Sequence, residues 1–171
     1  MAATVDISES NGAGPTVTGT VANVNMGSTD AIELVAATYP ITATTNSFEK
    51  WNRIKLTDIS TSTRIEKFKV YASGTLGTGC THKTNARESG YEGAQTYNAA
   101  SATDRSATYK YSQTMPTSAP SGQNVGIGGA LSGSLSTNTT YSDYIVSQIQ
   151  TTGSAVAGTS VTMTFAYDEV A

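Results

Sequence analysis

The segment VTMTFAYDEV, residues 161–170, decides the fold class of this chain. Four apolar side chains alternate in it with small or polar ones: Val161, Met163, Phe165 and Tyr167. Successive side chains of a β-strand point to opposite faces, so a period of two residues places these four on one face. The segment therefore predicts a strand with one face against a hydrophobic core.

The same alternation recurs earlier in the chain and predicts further strands. The runs are rich in β-branched and aromatic residues, which pack well on a pleated surface, and Gly, Pro and Asn separate them. They lie at about residues 17–24, 32–39, 53–57, 67–72 and 144–149. No segment shows a sustained helical period. About eight short strands with frequent turns predict an all-β fold, an antiparallel β-sandwich of the jelly-roll or immunoglobulin-like kind.

The chain length of 171 residues suits a single domain. We expect an extended N-terminal arm over residues 1–14, followed by one β-sandwich domain over residues 15–171. Such an arm could add a strand to the sheet of a neighbouring subunit, and its deletion is expected to leave the fold intact. Residues of about 75–106 contain few aliphatic side chains, which predicts one long loop, and loops of that length are often functional.

The charge balance excludes some classes of function. The chain has 13 acidic and 10 basic residues, whereas non-specific nucleic-acid binding requires clustered basic charge. No run approaches the roughly 18 apolar residues of a membrane-spanning helix. The first residues lack the basic and apolar regions of a secretory signal peptide, so we expect a protein that is made in the cytosol.

Few residues offer chemistry, and we predict no catalytic residue, no metal site and no cofactor. Cys80 and His82 are the single cysteine and histidine, whereas a zinc site needs about four ligands. Cys80 has no disulfide partner within the chain and is predicted to be a free, unreactive thiol. A catalytic triad could use only His82, and no nucleophile-elbow motif is present.

The acidic residues near the C-terminus leave alternatives open. Asp143, Asp168 and Glu169 could supply the carboxylate pair of a glycoside hydrolase or bind calcium. We prefer to interpret them as strand-end charges that discourage edge pairing or contact other subunits. The glycines within residues 124–129 lack the lysine of a phosphate-binding loop, and we expect them to permit a bulge or a close backbone approach.

Aromatic and apolar side chains supply the interface predictions. Trp51 lies among apolar neighbours and is predicted to be part of the core. Tyr91 and Tyr97 lie in the predicted loop, and tyrosine is favoured at interfaces because it combines a large contact area with a polar tip. With Val5 and Ile7 of the arm, they are the predicted interface residues. The alternative for the two tyrosines is a platform that binds a surface glycan.

The C-terminal third also carries a resemblance. It contains NVGIGGALSGSL at residues 124–135, YSDYIV at residues 141–146 and VTMTFAYDE at residues 161–169. In these segments the chain resembles tailed-bacteriophage virion proteins with a β-sandwich body, of the head-decoration (cement) or minor capsid kind. The resemblance implies a non-enzymatic structural protein of the virion that forms homo-oligomers and contacts the major capsid or other virion proteins. A carbohydrate-binding or adhesion protein of a virion tail and a pilus or filament subunit are the alternatives.

Overall fold

The computed structural model describes residues 1–12, 19–97, 105, 112–157 and 160–171. All regular secondary structure within these ranges is β-strand. In chain order they are β1 Thr4–Glu9, β2 Lys50–Asp58, β3 Arg64–Gly74, β4 Cys80–Thr84, β5 Gln113–Thr114, β6 Ser134–Leu135, β7 Thr140–Tyr141, β8 Ile145–Thr151 and β9 Val161–Val170. The strands form two antiparallel sheets that pack against each other, so the predicted β-sandwich is confirmed.

The larger sheet, which we call sheet A, contains six of the described strands. Its order is β1-β2-β8-β4-β5, and β7 pairs with the second half of β2. The smaller sheet, sheet B, has the order β6-β3-β9. Its main pairing joins β3 to β9, from Arg64 opposite Val170 to Gly74 opposite Val161.

The core lies between the apolar faces of the two sheets. Sheet A contributes Ile54 and Leu56 of β2, and sheet B contributes Phe68 and Val70 of β3, all fully buried. Each such side chain contributes about 1.5–3 kcal/mol when it leaves water. Because these positions alternate in the sequence, the local pattern predicts them correctly.

A β-bulge interrupts β3. The pairing of β3 with β9 shifts register between Glu66 and Lys69. Within the bulge Lys67 has a positive φ of 57°, the left-handed conformation that an extra residue in a strand often requires. The shift explains why Ile65 and Phe68 are both fully buried although they are three positions apart, a spacing that places side chains on opposite faces of a regular strand.

The N-terminal segment corrects the prediction of a free arm. Residues 4–9 form β1, which pairs with β2 so that Val5 lies opposite Leu56 and Ile7 opposite Ile54. Val5 and Ile7 are partly buried and pack against the core of their own chain. The partner strand lies far along the chain, so no local pattern in the first residues indicates the pairing. The expected boundary between arm and domain, at residues 14–15, lies outside the described residues.

Three other segments differ from the sequence prediction. Residues 19–24 and 32–39 form bends and turns in place of strands, and residues 17–18 lie outside the described ranges. In the second segment the N–H groups of Thr38 and Tyr39 bond locally to Val35 C=O, as in a turn. Within the predicted loop of 75–106, β4 pairs with β8. The pattern of apolar residues does not predict β4, because the side chains that it buries, His82 and Thr84, are polar.

Candidate protein–protein interface

The ten-residue strand β9 forms one side of sheet B, and no described strand pairs with its outer side. We call this unpaired side of β9 the open edge. The other long outer strand, β1, is partly covered by its own chain, because Val21 N–H donates to Ile7 C=O at 3.1 Å. In the described part of the chain, β9 is therefore the long outer strand whose free side receives no backbone hydrogen bond from another segment.

The hydrogen bonds of β3 show which backbone groups of β9 face the open edge. Phe68 C=O accepts a hydrogen bond from Asn124 N–H, and the Asn124 side chain bonds both backbone polar groups of Val70. These two β3 residues therefore point their backbone groups away from β9, and their neighbours in β3 bond to β9. Because Val70 lies opposite Phe165, the N–H and C=O of Phe165 point to the open edge.

The core side of β9 is apolar and incompletely covered. Met163 has the same backbone orientation as Phe165, because it lies opposite Ala72, whose N–H donates to Pro116 C=O. Four side chains pack against the core but are only partly buried: Val161, Met163, Phe165 and Tyr167. The core residues of β3 are by contrast fully or almost fully buried. The apolar row of β9 is thus less buried than the apolar row of β3.

β9 lacks most features by which edge strands avoid pairing. Proteins protect exposed edges with proline, lysine, bulges or short strands, and the sequence of β9 contains no proline, glycine or lysine. Its two charges lie near its C-terminal end and have partners within the chain. Asp168 accepts a hydrogen bond from Lys67 at 2.8 Å, and Glu169 accepts from Ser62 and from Ala3 N–H. These hydrogen bonds lower the pKa of both carboxyl groups.

Tyr91, one of the predicted interface residues, fixes the long loop to the sandwich. Its hydroxyl donates to Asp143 Oδ2 at 2.8 Å, and Gly129 N–H donates to the same oxygen at 2.9 Å. Burial and the Asp143 carboxylate raise the pKa of Tyr91. A Cβ at Gly126 would clash with Tyr91 and with Asp143. The close backbone approach predicted for residues 124–129 is therefore confirmed at Gly126.

Tyr97 is also held within its own chain. Its ring packs edge-on against Trp51, with 5.5 Å between the ring centroids, and its hydroxyl donates to Gly12 C=O at 3.2 Å. Trp51 is fully buried, as predicted, and makes a second edge-on contact with Tyr144 at 5.4 Å. Burial raises the pKa of Tyr97 to about 12. The structure thus places the four predicted interface residues outside β9, with contacts inside the subunit.

His82 lies between the sheets at one end of the sandwich. The residue is 5% exposed, and neither ring nitrogen has a hydrogen-bond partner among the described residues. Burial lowers its pKa to about 4. It lines two small, largely apolar cavities of about 230 and 250 Å³, the second of which Cys80 also lines. Among the residues that the structure describes, no three His, Cys, Asp or Glu side chains form a group that could hold a metal ion.

Sequence reasoning missed a buried polar cluster where β1 ends and β2 begins. Lys50 Nζ donates to Glu9 Oε1 at 2.5 Å and to Ala31 C=O at 2.9 Å, and both charged side chains are buried. Burial raises the pKa of Glu9 although Lys50 opposes this shift. Asn11 accepts a hydrogen bond from Trp51 N–H at 3.0 Å. Charged residues are usually exposed, so nothing in the sequence marks these as interior.

Comparison with known proteins assigns no family to this chain. No protein-family model, no curated protein and no solved structure matches it. The described residues include no helix that is long and apolar enough to cross a membrane. The function is therefore inferred from the geometry of the chain itself.

Proposed function

We propose that this chain is a non-enzymatic structural protein of a virion, a capsid decoration or cement subunit that stabilises a phage particle through contacts with neighbouring protein subunits. The open edge of β9 is the observation that carries the proposal. An unpaired strand offers a row of backbone hydrogen-bond groups, and an added strand satisfies them. The half-buried apolar row of β9 adds hydrophobic contact area at the same place.

The composition of the chain supports binding by backbone and apolar contacts more than by charge. Charged residues make up 13% of the sequence, against about 25% in typical globular proteins. A specific interface buries on the order of 1,200–2,000 Å². In a particle lattice, many copies of a modest contact act together, so the assembly gains more resistance to rupture than one contact provides.

The carbohydrate-binding alternative has less support from the geometry. A sugar platform needs aromatic rings that are open to a ligand, and the two loop tyrosines are partly buried. The Tyr91 hydroxyl is bonded to Asp143, and the Tyr97 ring packs against Trp51. Neither ring is arranged as an exposed surface.

The proposal is tested by binding purified protein to particles that lack it. We expect saturable binding of the wild-type chain and higher resistance of the loaded particles to heat. Met163→Lys places a charge on the core side of the open edge, where an added strand would have to bury it. We expect this variant to bind at least about tenfold more weakly, a loss of about 1.4 kcal/mol.

Ser136→Lys is the matched control, because Ser136 is exposed and follows β6 on the opposite side of sheet B. It should bind like wild type. Thermal unfolding of both variants establishes that they are folded before binding is compared. Absence of wild-type binding would refute the proposed function, and equal binding of folded Met163→Lys and wild type would remove β9 from it.

A further inference from the structure

We propose that the open edge of β9 pairs with β9 of a second copy of this chain. The two copies of sheet B would then form one continuous antiparallel sheet across a twofold axis. This inference rests on the proposed function, in which the open edge is a protein contact, and it names the partner. Four features of the described residues support it: the backbone directions, the apolar row, the positions of the charges and the unequal widths of the two sheets.

The backbone directions permit antiparallel self-pairing about Phe165. Met163 and Phe165 point their N–H and C=O groups to the open edge, and strand alternation gives Tyr167 the same direction. Antiparallel pairing requires that residues facing the edge lie opposite each other. Phe165 then lies opposite Phe165 of the second copy, and Met163 lies opposite Tyr167 of the second copy. Both pairs exchange backbone hydrogen bonds.

The same register joins the two apolar rows. A twofold axis perpendicular to the sheet keeps the core face of one copy continuous with the core face of the other. The partly buried side chains of Met163, Phe165 and Tyr167 would therefore meet their counterparts across the axis. Cross-strand aromatic pairs are among the more favourable side-chain contacts in antiparallel sheets. Self-pairing thus adds apolar contact to the partly buried row of β9.

The charges of β9 are compatible with this register. Asp168 would lie opposite Thr162 of the second copy, and Glu169 opposite Val161 of the second copy. No acidic residue therefore faces another acidic residue, although the chain carries a formal net charge of −3. Opposed like charges would destabilise the pairing. The ion pair between Lys67 and Asp168 lies on the β3 side of β9 and can remain intact.

The widths of the sheets give an independent reason. Within the described residues sheet A is five strands wide, because β7 and β8 lie on the same side of β2, and sheet B is three strands wide, so the wider sheet has no equally wide opposite layer. Pairing of two β9 strands extends sheet B without rearranging either subunit. The remaining described outer strands offer less free edge for pairing. β5 and β6 are two residues long, and β1 is partly covered by residues 20–21.

The test uses Thr164 and Ala166, whose backbone groups bond to β3 and whose side chains point away from the core. In the proposed register Thr164 of each copy lies opposite Ala166 of the other. The Thr164→Lys/Ala166→Lys variant therefore places lysine opposite lysine at two points, and Thr164→Glu/Ala166→Glu does the same with glutamate. Sedimentation velocity and light scattering measure the oligomeric state of the full-length proteins.

We expect a wild-type dimer, and we expect dimer affinity of each variant to fall by at least about tenfold because of like-charge repulsion. Mixing the two variants in equal amounts should restore dimers that contain one copy of each. This rescue excludes misfolding as the cause of the loss. The Ser132→Lys/Ser136→Lys variant, with two exposed changes beside β6, is the matched control and should dimerise like wild type.

A wild-type chain that stays monomeric at high concentration would overturn the inference, as would variants that dimerise like wild type or fail to rescue each other. Particle binding by a monomeric wild-type chain would leave the proposed function standing and reject the second copy as the occupant. A chain that self-pairs but does not bind particles would refute the proposed function and leave the pairing of two β9 strands standing.

Discussion

The two long outer strands, β1 and β9, differ in what their own chain does with their free sides. β1 is six residues long, and residues 20–21 lie along it. There Asp6 accepts hydrogen bonds from Thr20 at 2.6 Å and Thr57 at 2.7 Å, which lower its pKa. β9 is longer, and no described strand pairs with its free side. From this comparison we expect β1 to contribute to the stability of the subunit, whereas the free side of β9 is the edge that the proposed assembly would use.

Deletion of residues 2–9 should have the largest effect on this comparison. It removes β1, uncovers the Ile54 and Leu56 side of the core and leaves Lys50 without Glu9. We expect a loss of more than about 4 kcal/mol in the free energy of unfolding, or failure to fold, contrary to what an arm would give. Urea unfolding measures the effect. The Thr164→Lys/Ala166→Lys change in β9 should cost the isolated subunit less than about 1 kcal/mol; equal losses would remove the distinction between the two edges.

The Lys50→Met variant tests how much the ion pair at the end of β1 contributes to stability. The change leaves Glu9 buried without its cation, and breaking a buried ion pair in this way costs about 3–5 kcal/mol. Glu9→Leu/Lys50→Met removes both charges and should recover most of that loss, because apolar residues often replace a buried pair at little cost. Equilibrium unfolding of the wild type and the two variants measures both values. If the double variant were as unstable as Lys50→Met, the unpaired buried charge of Glu9 would not be the cause of the lost stability.

The pH dependence of stability is a smaller effect, and it tests the burial of His82 of β4 between the two sheets. The fold holds the pKa of His82 at about 4, below its ordinary value of 6.5, so protons bind more tightly to the unfolded chain. The contribution of His82 is complete above pH 6.5 and is lost as the pH falls toward 4, by about 3 kcal/mol. His82→Phe should flatten the unfolding free energy across this interval. Because His82 is the only histidine, an unchanged slope would assign the dependence to the carboxyl groups.

The sequence predicts the parts of this fold in which a strand has one apolar face. The alternation in 161–170 and 53–57 identifies β9 and part of β2, because their inward side chains are apolar. It fails for β4, whose inward side chains are polar, and for β1, whose partner is remote in the chain. The sequence does not predict the buried ion pair of Glu9 and Lys50 either, because its burial depends on the pairing of β1 with β2.

The candidate interface was only partly predictable. The apolar row of β9 is visible in the sequence, but its incomplete burial depends on which strands flank it, and strand order is not a local property. Residue type and position in a predicted loop indicate Tyr91 and Tyr97 as interface residues. The structure shows that Asp143 and Trp51 hold them within the subunit.

The side chain of Asn124 has a consequence for the size of any assembly. It bonds both backbone groups of Val70 in the manner of an adjoining strand, and Pro116 C=O does the same for Ala72 N–H. With the short β6 beyond Ile65, this side of β3 is capped by the chain's own side chains and loops. Sheet B can therefore grow in one direction only. Once two copies have met, no long edge of this sheet remains for a third, so the geometry favours a closed pair over an endless fibre.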